Sequence, residues 1–315
     1  SGPGCECWPP KLGRAAQTAR LAMAAAAAAA RQPAGGPDEW EAETSALPHW
    51  SRTYCGYHDR FVRPFALSVG GTHVEVRQAP CASRGHAQES SSTCDAMSTG
   101  STVWDPGVVL AAHALGEGFC ETHGLREAGS CLELGSGTGL AGLAAAASGC
   151  FARVLLSDLA TVVPLLRENL DRNAASLSRC SKAEAVALRW DAPADLQSAA
   201  ARGPFDLILG ADLLYRVQNV EPLLAALTAL AGEHTVVLLA ASVNHSPETV
   251  REFCARASEA FRLELLSTDA QLPEFRSQEV RLLRLRRRRE PVPGAAAAAA
   301  RRPWRGGGDG EAARR

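Results

Sequence analysis

The segment Glu133-Leu-Gly135-Ser-Gly137-Thr-Gly139 restricts what this chain can fold into more than any other stretch of it. Glycines at that spacing let the backbone turn sharply and let a ligand approach where a Cβ would collide. Cys131–Leu134 just before it reads as a short apolar strand, and Leu140, Leu143, Ala144 and Ala147 after it share one stripe of a helix. Strand, glycine turn and helix form the opening unit of an α/β sheet, in which ligands sit at the carboxyl ends of the strands.

The same alternation continues downstream. Arg153 to Leu156 predicts a second strand ending at Asp158, where a carboxylate is placed to accept two hydrogen bonds from a ribose diol. Val162, Leu165, Leu166 and Asn169 line the next helix, and Ala185 to Trp190 predicts a third strand. Phe205 to Gly210 is a fourth strand ending at Asp212; Val220, Leu223, Leu224 and Leu227 give a helix; Thr235 to Ala241 is a fifth strand. Such alternation means parallel strands, right-handed crossovers and helices on both faces. The end differs. Val250 to Ala260 reads as helix, then Phe261 to Leu266 and Glu279 to Leu285 as two strands joined by a loop, which suits an antiparallel pair finishing the sheet.

Upstream, Asp105 is expected to cap a helix with Pro106 at its first position and Trp104, Val108, Ala111 and Leu115 on one stripe. Phe65-Ala-Leu-Ser-Val and Thr72-His-Val-Glu-Val flank Gly70-Gly71 as a β-hairpin. The expected organisation is low-complexity, disordered sequence over 1–50, the hairpin and a variable loop over 51–100, the main domain over 101–287, and an Arg/Ala/Gly-rich disordered tail over 288–315. Arg286 to Arg289 reads with that tail.

A formal net charge of −1 gives the whole chain no electrostatic reason to bind nucleic acid or an anionic membrane. Arg286 to Arg289 could suggest RNA, but no aromatics are interleaved with them. None of the 10 cysteines forms a C-x-x-C pair, so neither a metal site nor a redox dithiol is expected, and a reducing, cytoplasmic setting follows. Residues 1–31, basic and alanine-rich, faintly resemble an organelle transit peptide, with a low-complexity extension as the blander reading. No apolar run approaches the roughly 20 residues that span a bilayer.

The glycine turn leaves two cofactors open. Gly137-Thr-Gly139-Leu-Ala-Gly142 satisfies the dinucleotide fingerprint, with Asp158 at about the right distance for a nicotinamide cofactor and an oxidoreductase. Glu133, two residues before the first glycine, stands where S-adenosylmethionine enzymes commonly carry an acid. The antiparallel C-terminal pair is likewise foreign to dinucleotide domains. On the residues alone, Trp104 and Trp190 read equally well as core, and Tyr215 as packing for the next helix. Asp212 is harder to dismiss, because a carboxylate straight after Leu207-Ile-Leu-Gly-Ala is costly to bury without a partner. His113, His234 and His245 are scattered and carry no assignment.

Taken in order, Val103-Trp-Asp105, Leu132-Glu-Leu-Gly-Ser-Gly-Thr-Gly139, Ser157-Asp158, Leu188-Arg-Trp190, Ala211-Asp-Leu-Leu-Tyr215 and Phe275-Arg-Ser-Gln-Glu279 resemble a known group. This is methyltransferase family 16, in particular its methyltransferase-like protein 21 branch, and the likeness covers roughly residues 61–287. It implies a Rossmann-like, seven-stranded class I methyltransferase fold that uses S-adenosyl-L-methionine, needs no metal and methylates a lysine of a partner protein. Members of the group act on valosin-containing protein and heat-shock 70 chaperones. The implied partner is therefore a chaperone, an AAA ATPase or a translation factor, approached by a monomer; arginine or histidine is the alternative nucleophile. Trp104 is implied to lie over the cofactor, Glu133, Gly135, Ser136 and Gly137 to form the turn against it, and Asp158 to hold its ribose. Trp190 would sit near the adenine, Ala211 would give a backbone contact, and Asp212 and Tyr215 would stand beside the lysine. The segment Cys81–Gly100 is long for the family, and both tails lie outside the match, so a named substrate does not carry over.

Overall fold

The structure, a computed structural model, describes residues 50, 63–79, 99–126, 129–177 and 179–289, all within one unit spanning Glu43–Arg315. Nearly all of the 1–50 segment, most of the 81–100 segment and the tail beyond Arg289 lie outside the described residues. The expectations of disorder, of a variable loop and of a transit-peptide likeness lie there too.

Strand β1 (Phe65–Val69) and β2 (Thr72–Val76) pair antiparallel around Gly70 and Gly71, both at positive φ. That is the backbone a two-residue hairpin turn demands and the reason for two glycines there. Helix α1 (Asp105–Leu115) and the short α2 (Phe119–His123) follow. The main sheet then runs β3 (Gly129–Leu134), α3 (Leu140–Ala147), β4 (Phe151–Asp158), α4 (Val163–Arg172), β5 (Lys182–Ala187), α5 (Pro193–Ala200) and β6 (Leu207–Ala211). It continues with α6 (Val220–Leu230), β7 (Val236–Ser242), α7 (Pro247–Ala257), β8 (Phe261–Leu266) and β9 (Val280–Arg287).

The seven strands lie in the order β5-β4-β3-β6-β7-β9-β8, parallel from β5 to β7, with β9 antiparallel to both its neighbours. The chain steps from β3 outward to β5 and then returns past β3 to β6 and β7. With right-handed crossovers, α3 and α4 therefore cover one face and α5 and α6 the other. The reversal between β3 and β6 opens a crevice at their carboxyl ends, the place where open α/β sheets bind ligands. The antiparallel C-terminal pair was legible in the sequence. Its order was not: β9 enters between β7 and β8 and leaves β8 at the edge.

Three expectations shift. Asp105 is the first residue of α1 rather than its cap; Trp104 holds that position with extended backbone and no side-chain capping bond. Trp190 lies beyond β5, which ends at Ala187. Arg286 and Arg287 belong to β9, and the arginines that follow are also occupied. Arg286 donates to His123 O, Arg287 to Thr228 O and Ala231 O at the end of α6, Arg288 to Ser258 O, and Arg289 pairs with Glu233. Guanidinium groups that cap helix carbonyls are architectural, so the cluster needs no RNA to explain it.

Two asparagines tie the hairpin to α4 and the turn after it. Asn173 in the turn after α4 accepts from Glu75 N, and Asn169 accepts from Arg77 N. The Asn169 amide also donates to Thr138 O inside the glycine turn at 2.9 Å. Gln78 then takes Thr102 Oγ1 and Val103 N, which sets the approach to α1.

Candidate active site

The turn after β3 is built from left-handed backbone: φ is +59° at Gly135, +54° at Gly137 and +84° at Gly139. Side chains are excluded by contact as well as by torsion. A Cβ on Gly135 would lie 2.6 Å from Leu213 Cδ2 and 3.2 Å from Trp190, and one on Gly137 would lie 3.0 Å from Gly100 O. The glycine turn is thereby packed directly against the Asp212–Tyr215 loop that follows β6.

Gly142 settles what the sixth position of the ambiguous fingerprint does here. A Cβ on it would meet Glu133 Oε2 at 2.6 Å, so the missing side chain makes room for a buried carboxyl at the head of α3. Glu133 is 2% exposed and its Oε2 has no hydrogen-bond partner. Burial pushes its pKa up to about 8, against an opposing pull from Ser136 and the nearby Gly142 amide. An orphaned acceptor on the wall of a cleft matches an incoming cationic donor. The amino group of S-adenosylmethionine supplies one, and the pyrophosphate of a dinucleotide does not.

Asp158 ends β4. Its Oδ2 accepts from Gly137 N and its Oδ1 from Leu159 N, each at 2.7 Å. A carboxylate offers about four acceptor sites, so the two remaining ones can take a vicinal diol. Burial raises its pKa and the two amides oppose that rise. Ser136 lines the cleft at the glycine turn, and its hydroxyl bonds both neighbouring strands. Its hydroxyl donates to Glu133 O and accepts from Ser157 N, which locks β3 to β4 and leaves it to shape the turn.

Asp212 is the one non-glycine residue among those described with left-handed backbone, at φ +55°. Asp and Asn tolerate that region better than other side chains, at a cost of about 1 kcal/mol. The kink aims its carboxyl into the cleft while its N–H bonds Ala240 O in β7 at 2.8 Å. Burial lifts its pKa to about 6; His245 and the Ser242 amide oppose the rise, and Asp105 adds to it. Tyr215 stands three residues on, with the Arg216 guanidinium 5.7 Å from its ring centre.

All ten residues expected from the sequence, from Trp104 through Tyr215, line one cavity of about 490 Å³. Pockets for nucleoside-sized ligands span about 300–1,000 Å³. Trp104 and Trp190 both reach this cavity, so neither is simply core; Trp104 is braced by its Nε1–H bond to Thr99 O. The cavity also takes in Thr99, Gly100, Arg189, Asp191, Arg216 and His245, which sequence reasoning did not single out. His245 lies three residues beyond the carboxyl end of β7, on the same side of the sheet as Asp158 at the end of β4 and Asp212 just after β6, but its residue type alone does not set it apart.

Fold and cleft define a class, the Rossmann-like seven-stranded methyltransferases with an antiparallel C-terminal strand pair. Within it, a family model described as lysine methyltransferase matches residues 89–259, and this chain belongs to that family. S-adenosyl-L-methionine is the family's methyl donor, and the orphaned Glu133 and the half-satisfied Asp158 fit it. Protein N-lysine methyltransferase METTL21A of Mus musculus is 35% identical over 147 residues, 47% of this chain and 62% of that protein. Its counterpart in Danio rerio is 32% identical over 169 residues, 54% of this chain and 72% of that protein. EEF1A lysine methyltransferase 3 of Mus musculus is 32% identical over 140 residues, covering 44% and 56%. The matched stretches thus span between 56% and 72% of these relatives' own lengths.

Proposed function

We propose that this chain transfers a methyl group from S-adenosyl-L-methionine to the side-chain amine of a lysine in a partner protein. The observation that carries this reading is Asp212. It is an acceptor carboxylate forced into left-handed backbone, and it lines the same cleft as the cofactor-side residues Glu133 and Asp158. Strained residues of this kind persist where function over-determines them.

When bound, the cofactor supplies a methyl carbon made electrophilic by a sulfonium. The protein's part is alignment and exclusion of water. Glu133 and Asp158 hold the amino and ribose ends. Asp212 draws in and orients the lysine nitrogen, and Tyr215 walls the channel.

The partner we favour is a chaperone, an AAA ATPase or a translation factor. The name of the mouse relative that acts on EEF1A supports the last of these. We take the acting form to be a monomer, a reading supported by the described residues of one chain that line the cleft. We place the reaction in the cytoplasm, where the free thiols of Cys120, Cys131, Cys150, Cys180 and Cys254 would stay reduced. Incubating the full chain with methyl-labelled cofactor and cell extract tests the reading, followed by identification of the labelled residue. Label on a lysine of one or a few proteins supports it. Label confined to arginine or histidine refutes it.

A further inference from the structure

His245 lines the cleft but has no part in the account above. It sits in the turn between β7 and α7, exposed to solvent, whereas Asp212 is largely enclosed. That turn is tied down on both sides. Asp212 N bonds Ala240 O at 2.8 Å, near the end of β7 at Ser242. On the other side Ser246 Oγ lies 2.7 Å from Thr249 Oγ1 and 3.0 Å from Glu248 Oε1, which anchors the head of α7. Position 245 is therefore held between two fixed points. His245 shares the cleft with Asp212, near enough that a proton taken up by its ring would favour the Asp212 carboxylate.

We propose that His245 is the proton acceptor for the incoming lysine, taking the proton from the ammonium held at Asp212 and releasing it to bulk water. This rests on the lysine reading of the cleft.

Methyl transfer requires that the ammonium first lose a proton. A free lysine titrates near about 10.4, so almost every substrate amine arrives protonated and without a lone pair. The steps balance as follows. The ammonium N–H proton moves to the imidazole lone pair, leaving a neutral amine and an imidazolium. The amine lone pair forms the new N–C bond while the S–C pair departs with sulfur, which becomes a neutral thioether. The methylated nitrogen carries the positive charge the sulfonium lost. The imidazolium then gives its proton to water.

Asp212 is poorly suited to the acceptor role. A proton left on it would cancel the charge that holds the amine, and it lies on the enclosed side of the cleft. The other ionisable groups lining the cleft are Glu133, Asp158, Arg189, Asp191, Tyr215 and Arg216, with Asp105 acting on Asp212 from α1. Glu133 and Asp158 belong to the cofactor half. Arg189 and Asp191 pair with each other, and the arginines cannot accept a proton at neutral pH. Glu248, at the head of α7, is engaged by Ser246.

His245→Gln, which puts a polar side chain that does not titrate at this position, is compared with wild type in the full chain. The rate of label transfer from methyl-labelled cofactor to extract protein is followed at several pH values, with S-adenosylhomocysteine affinity measured by calorimetry. At about pH 7 the variant should be at least tenfold slower, and the gap should close towards about pH 9 as the amine loses its proton to solvent. Added imidazole should restore part of the rate near neutrality, with cofactor affinity unchanged. A rate equal to wild type at neutral pH overturns the proposal. So does a loss of the same size at every pH, or a matching loss of cofactor affinity, since either marks a structural role. If wild type labels no lysine, the lysine reading itself fails and takes this proposal with it.

Discussion

Glu133 and Asp158 end adjacent parallel strands, yet their surroundings differ in one respect that sets their chemistry. Two backbone amides hold Asp158, while Glu133 Oε2 has no partner. Asp158→Ala should lower S-adenosylhomocysteine affinity at least about tenfold, roughly 1.4 kcal/mol, by calorimetry. It should also lower Tm, because Gly137 N and Leu159 N lose their acceptor. Glu133 has a raised pKa, so between its ordinary 4.5 and about 8 the folded chain binds more protons than the unfolded one. Its contribution to stability therefore falls as pH rises through that window. Glu133→Gln, which resembles the protonated acid, should gain in Tm relative to wild type as pH climbs from 4.5 to 8, while binding the cofactor product less tightly. A Tm difference that stays flat with pH would show that Glu133 ionises normally. At Asp212 the informative change is to Asn, which keeps the left-handed backbone accessible. Asp212→Asn should retain Tm and cofactor affinity and lose turnover by on the order of a hundredfold, the cost of a misplaced amine. If Tm and turnover fell together, the residue would be a turn-former only.

Helix α1 links the cleft to the far side of the domain, since Trp104 and Asp105 stand at its head and His113 near its end. His113 Nε2 lies 2.9 Å from His123 Nε2 in α2, and Phe119 packs against both rings. Burial lowers His113 to about 4, and burial with the His113 charge lowers His123 to about 3; Arg284 works against both cations. In the unfolded chain each returns to about 6.5. Below that value the unfolded state binds more protons, so stability is lost as pH falls from 6.5 towards 4. Replacing both histidines by leucine should flatten that slope in thermal melts at about pH 7 and about pH 5; a slope equal to wild type would place the acid sensitivity elsewhere. The sequence made α3, α4, α6 and the parallel strands legible because each buries one clear stripe or run. It did not reveal α2, which is five residues long, or α5, whose buried residue is Ala199 alone. Asp158, Ala211 and Asp212 were readable at strand ends and Gly135 and Gly137 in the glycine turn, whereas Trp104, which precedes α1, and Trp190 were legible only through the family resemblance. Arg189, Asp191 and His245 follow strand ends too, but nothing in their residue type distinguishes them from solvated surface.

Among the described residues, those that line the cleft lie between Thr99 and His245, and β9 pairs with β7 beyond the strands that frame it. A chain trimmed to residues 50–289 should therefore bind S-adenosylhomocysteine with the affinity of the full sequence, as calorimetry would show. A loss of binding would mean that residues outside this span complete the cleft. The insertion of β9 between β7 and β8 also bears on how the molecule comes into being. β8 leaves the ribosome first but has no place in the sheet until β9 arrives, because among the described residues its one strand partner is β9. Until Arg287 has cleared the exit tunnel, β7 presents an unpaired edge of Val236, Val237, Leu238 and Leu239, the kind of edge that recruits other chains. The nascent protein thus passes through an adhesive stage that ends only when almost all of the described fold has been translated. Premature stop codons before Val280 should yield insoluble product in place of a weakened enzyme.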